Sequence, residues 1–152
     1  MENLNVQILI ENLESLEKSL NWLKRSYEKS IKVNFKSALS EEEFDIMENL
    51  TSRYSRAVDL IISKLFRSID AVELEESGTI LDVVNRAEKR GLIDSSKRLR
   101  ELKDLRNEIV HEYETDDLLD TFESVRNNIP EILSIAQNIK DYCLKKNYIK
   151  KY

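Results

Sequence analysis

The run LRNEIVHEYE, residues 105–114, holds the side chains of this 152-residue chain best suited to chemistry. His111 is the only histidine in the sequence, and an imidazole can both take and give a proton near neutral pH. Five positions earlier stands Arg106, whose planar guanidinium is shaped to grip a phosphate or carboxylate with two parallel hydrogen bonds. Asn107 and Tyr113 add a polar amide and a phenol to the same run. The chemistry on offer is proton transfer beside a bound anion.

Spacing places these groups on a helix. At 100° per residue, Leu99, Leu102, Leu105, Ile109, Val110 and Tyr113 fall within an arc of about 140°, and Arg106 falls inside it. A guanidinium facing a core is strongly destabilising unless it is paired or opens onto a cavity. Arg100, Asp104, Asn107 and His111 follow at intervals of four, three and four on the opposite side, so His111 and Asn107 are one-turn neighbours. The five residues from Arg106 to His111 turn the helix by about 140°. Either the helix unwinds before His111, or a second molecule completes the site. Plainer accounts remain: Arg106 paired with a buried carboxylate from another helix, His111 as a partner of the helix C-terminal dipole, and Tyr113 as a packing residue.

The elements that must position this run are helices. Hydrophobic residues make up 41% of the chain and charged residues 35%, with two glycines and one proline. That composition predicts a single all-α domain over residues 1–152, an up-down bundle of about five helices with the first two long and antiparallel. Leu9, Leu13, Leu16, Leu20, Leu23 and Tyr27 form one stripe of a first helix. Ser40 with Glu43 reads as a capping box that opens a second, along which Met47, Leu50, Tyr54, Val58, Ile61, Leu65 and Ile69 keep helical spacing. The acidic run ELEESG, residues 73–78, breaks the pattern. A short third helix then runs from about Thr79 to a glycine cap at Gly91, a fourth starts near Asp94, and a last carries Leu118, Phe122, Val125, Ile129, Leu133, Ala136 and Ile139. Pro130 should kink or restart that last helix. Trp22 is assigned to the core.

The remaining features narrow the function. A net charge of −5 means that any nucleic-acid site must be a local basic patch. Arg53 and Arg56 either face the same cleft as the motif or form salt bridges within their helix. The tail DYCLKKNYIKKY, residues 141–152, either contacts phosphates and bases or is a solvated, frayed terminus. Lone Cys143 reads as a small core residue, and one histidine with one cysteine offers no zinc-type ligand set. The N-terminus shows no signal peptide and the chain no membrane span, which predicts a cytoplasmic protein without a cofactor.

The run Arg106-Asn107-x-x-x-His111-x-Tyr113, late in a small helical bundle, resembles the signature of the HEPN domain superfamily, in particular its toxin members. Their motif is arginine, four residues, histidine, one residue, tyrosine, with a polar residue after the arginine. The resemblance implies a metal-independent ribonuclease acting as a homodimer, with motif helices facing each other across a cleft. It also implies a minimal nucleotidyltransferase antitoxin, which in some members attaches AMP to the motif tyrosine, here Tyr113. Arg106 would hold the scissile phosphate of RNA, His111 would move the proton, and Asn107 would orient His111 or bind a phosphate oxygen, with Arg100 and Asp104 as a supporting polar face. Two other readings stand beside it: a noncatalytic HEPN module that partners a nucleotidyltransferase or binds a nucleotide, and a structural helical adaptor.

Overall fold

The computed structural model describes residues 3–75, 78–111 and 118–150, with the backbone alone at Val110 and His111. Among these the chain is helical without strands: α1 (Leu4–Ser30), α2 (Glu41–Asp59), a π-helical segment (Leu60–Phe66), α3 (Arg67–Val72), α4 (Ile80–Lys89), α5 (Ser96–His111) and α6 (Leu118–Lys145). Backbone angles stay right-handed helical at both joints of the π segment, so α2, π segment and α3 make one rod. With that rod counted once, the bundle has the expected five helices.

Local chemistry sets the boundaries. Ser40 Oγ accepts from the Glu43 N–H and the Glu43 carboxylate from the Ser40 N–H, both at 3.1 Å, a complete capping box. Thr79 and Asp82 repeat it at α4. Gly78 precedes that box with φ +130°, and a Cβ there would meet Asp82 Oδ2 at 2.6 Å, so both conformation and space require glycine. α4 ends at Gly91, φ +77°, where Leu92 N–H donates to the Ala87 carbonyl and Gly91 N–H to that of Glu88, each at 3.0 Å. This is a Schellman end. α3 and α6 close in the same way with Leu74 and Asn147 at positive φ.

α1 runs antiparallel to the rod. Asn5 donates to the Ala71 carbonyl and Asn12 to Ser68 Oγ at one end, while Arg53 reaches Ser26 at the other. Leu9, Leu16 and Leu23 are buried between them, whereas Leu13, Leu20 and Tyr27 pack only partly against the core. The predicted stripe is therefore split: residues seven apart face the rod, and the alternate ones flank it. All seven apolar positions named for the second helix are buried. Within the π segment Ile61 and Ile62, and Leu65 and Phe66, are buried. Pro130 lies within the 28-residue α6 without restarting it; one missing N–H removes one rung, and buried Val125, Ile129 and Ile132 hold the helix on either side. Trp22 is not core: it is 52% exposed, because it sits about 100° around the helix from buried Leu23.

The far end of the bundle is tied by charge. Asp70, buried, accepts from both Arg86 and Arg90. Glu73 accepts from Arg90 at 3.1 Å, from the Tyr142 hydroxyl at 2.6 Å and from that of Tyr148 at 3.0 Å. The tail is thus docked through Tyr148 and not frayed as far as the described residues go. Cys143 beside it is fully buried as expected, and burial, with Glu73 second, pushes its thiol up to about 12. Burial alone would raise the Glu73 carboxyl, but the Tyr142 bond, the Arg90 charge and the Tyr148 bond together hold it below the ordinary glutamate range.

A depressed folded-state carboxyl stabilises the protein above its unfolded pKa and loses that contribution as pH falls through the folded one; a raised phenol does the reverse at high pH. The urea midpoint is therefore expected to fall as pH drops below about 4.3, less steeply in Glu73→Gln. It should fall again above about pH 10, because unfolded tyrosines ionise there while the Tyr148 phenol in the folded protein is pushed up to about 12 by burial and its bond to Glu73.

Candidate active site on the fifth helix

α5 begins where Ser95 Oγ accepts from the Arg98 N–H at 3.0 Å. Its apolar face, Leu99, Leu102, Leu105 and Ile109, is buried. Two polar anchors fix its position. The buried Tyr54 hydroxyl donates to the Leu102 carbonyl at 2.8 Å, and burial raises that phenol well above its ordinary pKa. Arg98 grips Glu131 of α6 from Nε and Nη2, with Asn128 and Glu101 completing its shell.

Arg106 lies at the rim of this apolar face, neither in the core nor fully in solvent, with its side chain 30% exposed. The compensation for its position is a carboxylate on the neighbouring helix. Nε donates to Asp59 Oδ1 and Nη2 to Asp59 Oδ2, each at 3.1 Å, a bidentate fork. Asp59 is not buried but 52% exposed, and it is the last residue of α2, directly before the π segment. Nη1 makes only a long 3.5 Å contact with Asn107 Oδ1. Three of the five guanidinium N–H donors are thereby used among the described residues, and the outer edge of the group still faces away from Asp59.

Arg100, Asp104 and Asn107 are all exposed and follow the predicted polar line. α5 stays helical through His111, which corrects the alternative that it unwinds before that residue. Five residues of unbroken helix separate positions 106 and 111 by about 140° of rotation, and the structure brings Arg106 to Asn107 and Asp59. The His111 side chain and the whole of Tyr113 lie outside the described residues. Arg53 does not face this site: it turns to α1, donating to the Trp22 carbonyl at 3.2 Å and to Ser26. Sequence reasoning missed Asp59, for which no local signal exists; a lone acid before an apolar run says nothing of a partner 47 positions away.

Among the described residues no group of three or more His, Cys, Asp or Glu side chains could hold a metal ion, and no helix is long and apolar enough to cross a membrane.

The exposure of the two ion pairs separates their energetics. Asp59→Asn is expected to change the urea-unfolding free energy by less than about 1 kcal/mol, since exposed pairs contribute little. Asp70→Asn, which takes the buried charge from Arg86 and Arg90, is expected to cost about 3–5 kcal/mol.

No curated protein and no solved structure matches the chain. A family model does, described as ribonuclease HepT-like, over residues 10–139. The match takes in α2 with Asp59 and the whole Arg106–Tyr113 run on and beyond α5, and the chain belongs to the HepT-like ribonuclease family of the HEPN superfamily.

Proposed function

We propose that the protein is an endoribonuclease toxin that cleaves RNA, without a metal, at a site shared by two copies of the chain, and that a minimal nucleotidyltransferase is its antitoxin. The observation that carries the reading is the unbroken α5: with the helix intact through His111, Arg106 and His111 diverge by about 140°. Two copies packed through α5 would set the Arg106 of one protomer near the partner's His111. Asp59 holds Arg106 in a fixed plane, a preorganised donor for a phosphate.

The reaction is transesterification within RNA. His111 takes the proton of the 2′-hydroxyl, the O2′–P bond forms, the P–O5′ bond breaks, and a proton returns to the 5′-oxygen, leaving a 2′,3′-cyclic phosphate and a 5′-hydroxyl. Arg106 neutralises the charge that grows on the non-bridging oxygens. Asn107, one turn before His111, orients it or binds a phosphate oxygen, and Arg100 and Asp104 flank the strand. A second reading has one observation in its favour: the Arg106–Asp59 pair already satisfies the guanidinium inside one chain, as a noncatalytic module that binds a nucleotidyltransferase or a nucleotide would have it.

Arg106→Ala and His111→Ala are each expected to lower RNA cleavage at least about a hundredfold, with EDTA leaving the parent active and the products carrying cyclic phosphate. Folded variants that cut as fast as the parent would favour the noncatalytic module.

Tyr113 is the proposed point of control. Its hydroxyl would attack the α-phosphorus of ATP with release of pyrophosphate, and the attached AMP would place a phosphate near Arg106 and a nucleotide in the groove that RNA needs. Incubated with ATP, magnesium and the nucleotidyltransferase, the parent is expected to gain the mass of AMP and lose activity, while Tyr113→Phe does neither; equal mass gain in both would rule the site out.

A further inference from the structure

The chain's only tryptophan stands half in solvent on α1, and two arginines gather on it. Arg25 places its guanidinium carbon 5.5 Å from the Trp22 ring centroid and Arg53, from α2, places its own at 5.0 Å. They are held differently. Arg53 is anchored by its bonds to the Trp22 carbonyl and Ser26 Oγ, whereas Arg25 has no hydrogen bond among the described residues and is itself exposed.

Charge marks the same surface. Arg86, Arg90, Arg98 and Arg106 are each tied to carboxylates. Among the described residues, Arg25, Arg53 and Arg56 have none within 4.0 Å. Lys18, Trp22, Arg25 and Lys29, all exposed, repeat at four, three and four along α1 and so share one face. On a chain of net charge −5, a face of unpaired cations around an exposed indole is where a polyanion can approach.

We propose that Trp22, Arg25 and Arg53 form a stacking platform for one base of single-stranded RNA, on a face separate from the motif helix. A base takes the place of unanchored Arg25 on the indole, Arg25 moves onto the flanking phosphate, and Arg53 stays fixed beneath. Aromatic stacking of this kind accepts any base, because every base offers a π face. The proposal takes its ligand class from the ribonuclease reading of α5 but uses none of its catalytic groups.

Trp22 reports on itself. Titration of His111→Ala protein with oligouridylate at low salt is expected to quench its emission saturably, and Trp22→Ala should weaken binding of the same fluorescein-labelled RNA, read by anisotropy, about tenfold. Arg25→Gln should lower the slope of log affinity against log salt by about 0.7. Both side chains are exposed, so circular dichroism of each variant should match the parent. Unchanged emission with RNA, or an equal quench with duplex RNA or with heparin, which has no bases, overturns the platform. A quench by RNA in a protein whose parent does not cleave RNA overturns the ribonuclease reading and leaves the platform standing, while cleavage without a quench does the opposite.

Discussion

Burial of four residues on α5 constrains most of what lies around the site. Once Leu99, Leu102, Leu105 and Ile109 face the bundle, helical geometry decides every other direction on that helix. Arg106, adjacent to Leu105, must come out at the rim, beside the rod formed by α2 and the π segment. There it needs a carboxylate, and Asp59 supplies one in the bidentate geometry that suits a guanidinium. Asn107, one residue on, is turned out to solvent. Moving any of these side chains to another face would require lifting the leucines off the core.

Charge is sorted over the molecule by the same logic. At the α3 end, Asp70 and Glu73 draw in Arg86, Arg90, Tyr142 and Tyr148, so arginines there link helices to one another and to the docked tail. Along α5, Arg98 does likewise for α6. On the outer face of α1 and α2, Arg53 links the two helices without a carboxylate, and Arg25 and Arg56 have none within 4.0 Å among the described residues. An excess of acid over base in the whole chain thus coexists with a surface on which several arginines have no carboxylate partner within 4.0 Å among the described residues.

The helices and their ends were legible because their causes are local. Ser40 with Glu43 and Gly91 each act within a few residues, and the seven positions that apolar spacing named along the central rod are all buried, though it missed Ala57, Ile62 and Phe66. The motif was legible as spacing and residue type. What could not be read depends on contacts between segments distant in sequence. Asp59 pairs with a residue 47 positions on; Glu73 reaches Tyr142 and Tyr148 across 69 and 75 positions. Trp22 was misplaced for a different reason: sequence reasoning assigns it to the core, but its phase on α1 sets it outside, and Leu16 and Leu23 already fill the inner face. The π turn has no residue signature in LIISKLF.

The Asp59 fork gives Arg106 a dual character. In the absence of ligand it satisfies a guanidinium that the α5 leucines force to the rim, and it does so with a carboxylate that is half in water, where an ion pair is weak. A phosphate brought to the outer edge of Arg106 would share the cation without first breaking a buried pair, whereas the same approach to Arg90, enclosed by Asp70 and Glu73, would have to displace two carboxylates from a site closed to solvent. The pairing of Arg106 is therefore compatible with binding an anion where that of Arg90 is not, and its place on α5 beside Asn107 and about one helical turn and a half before His111 follows from packing alone.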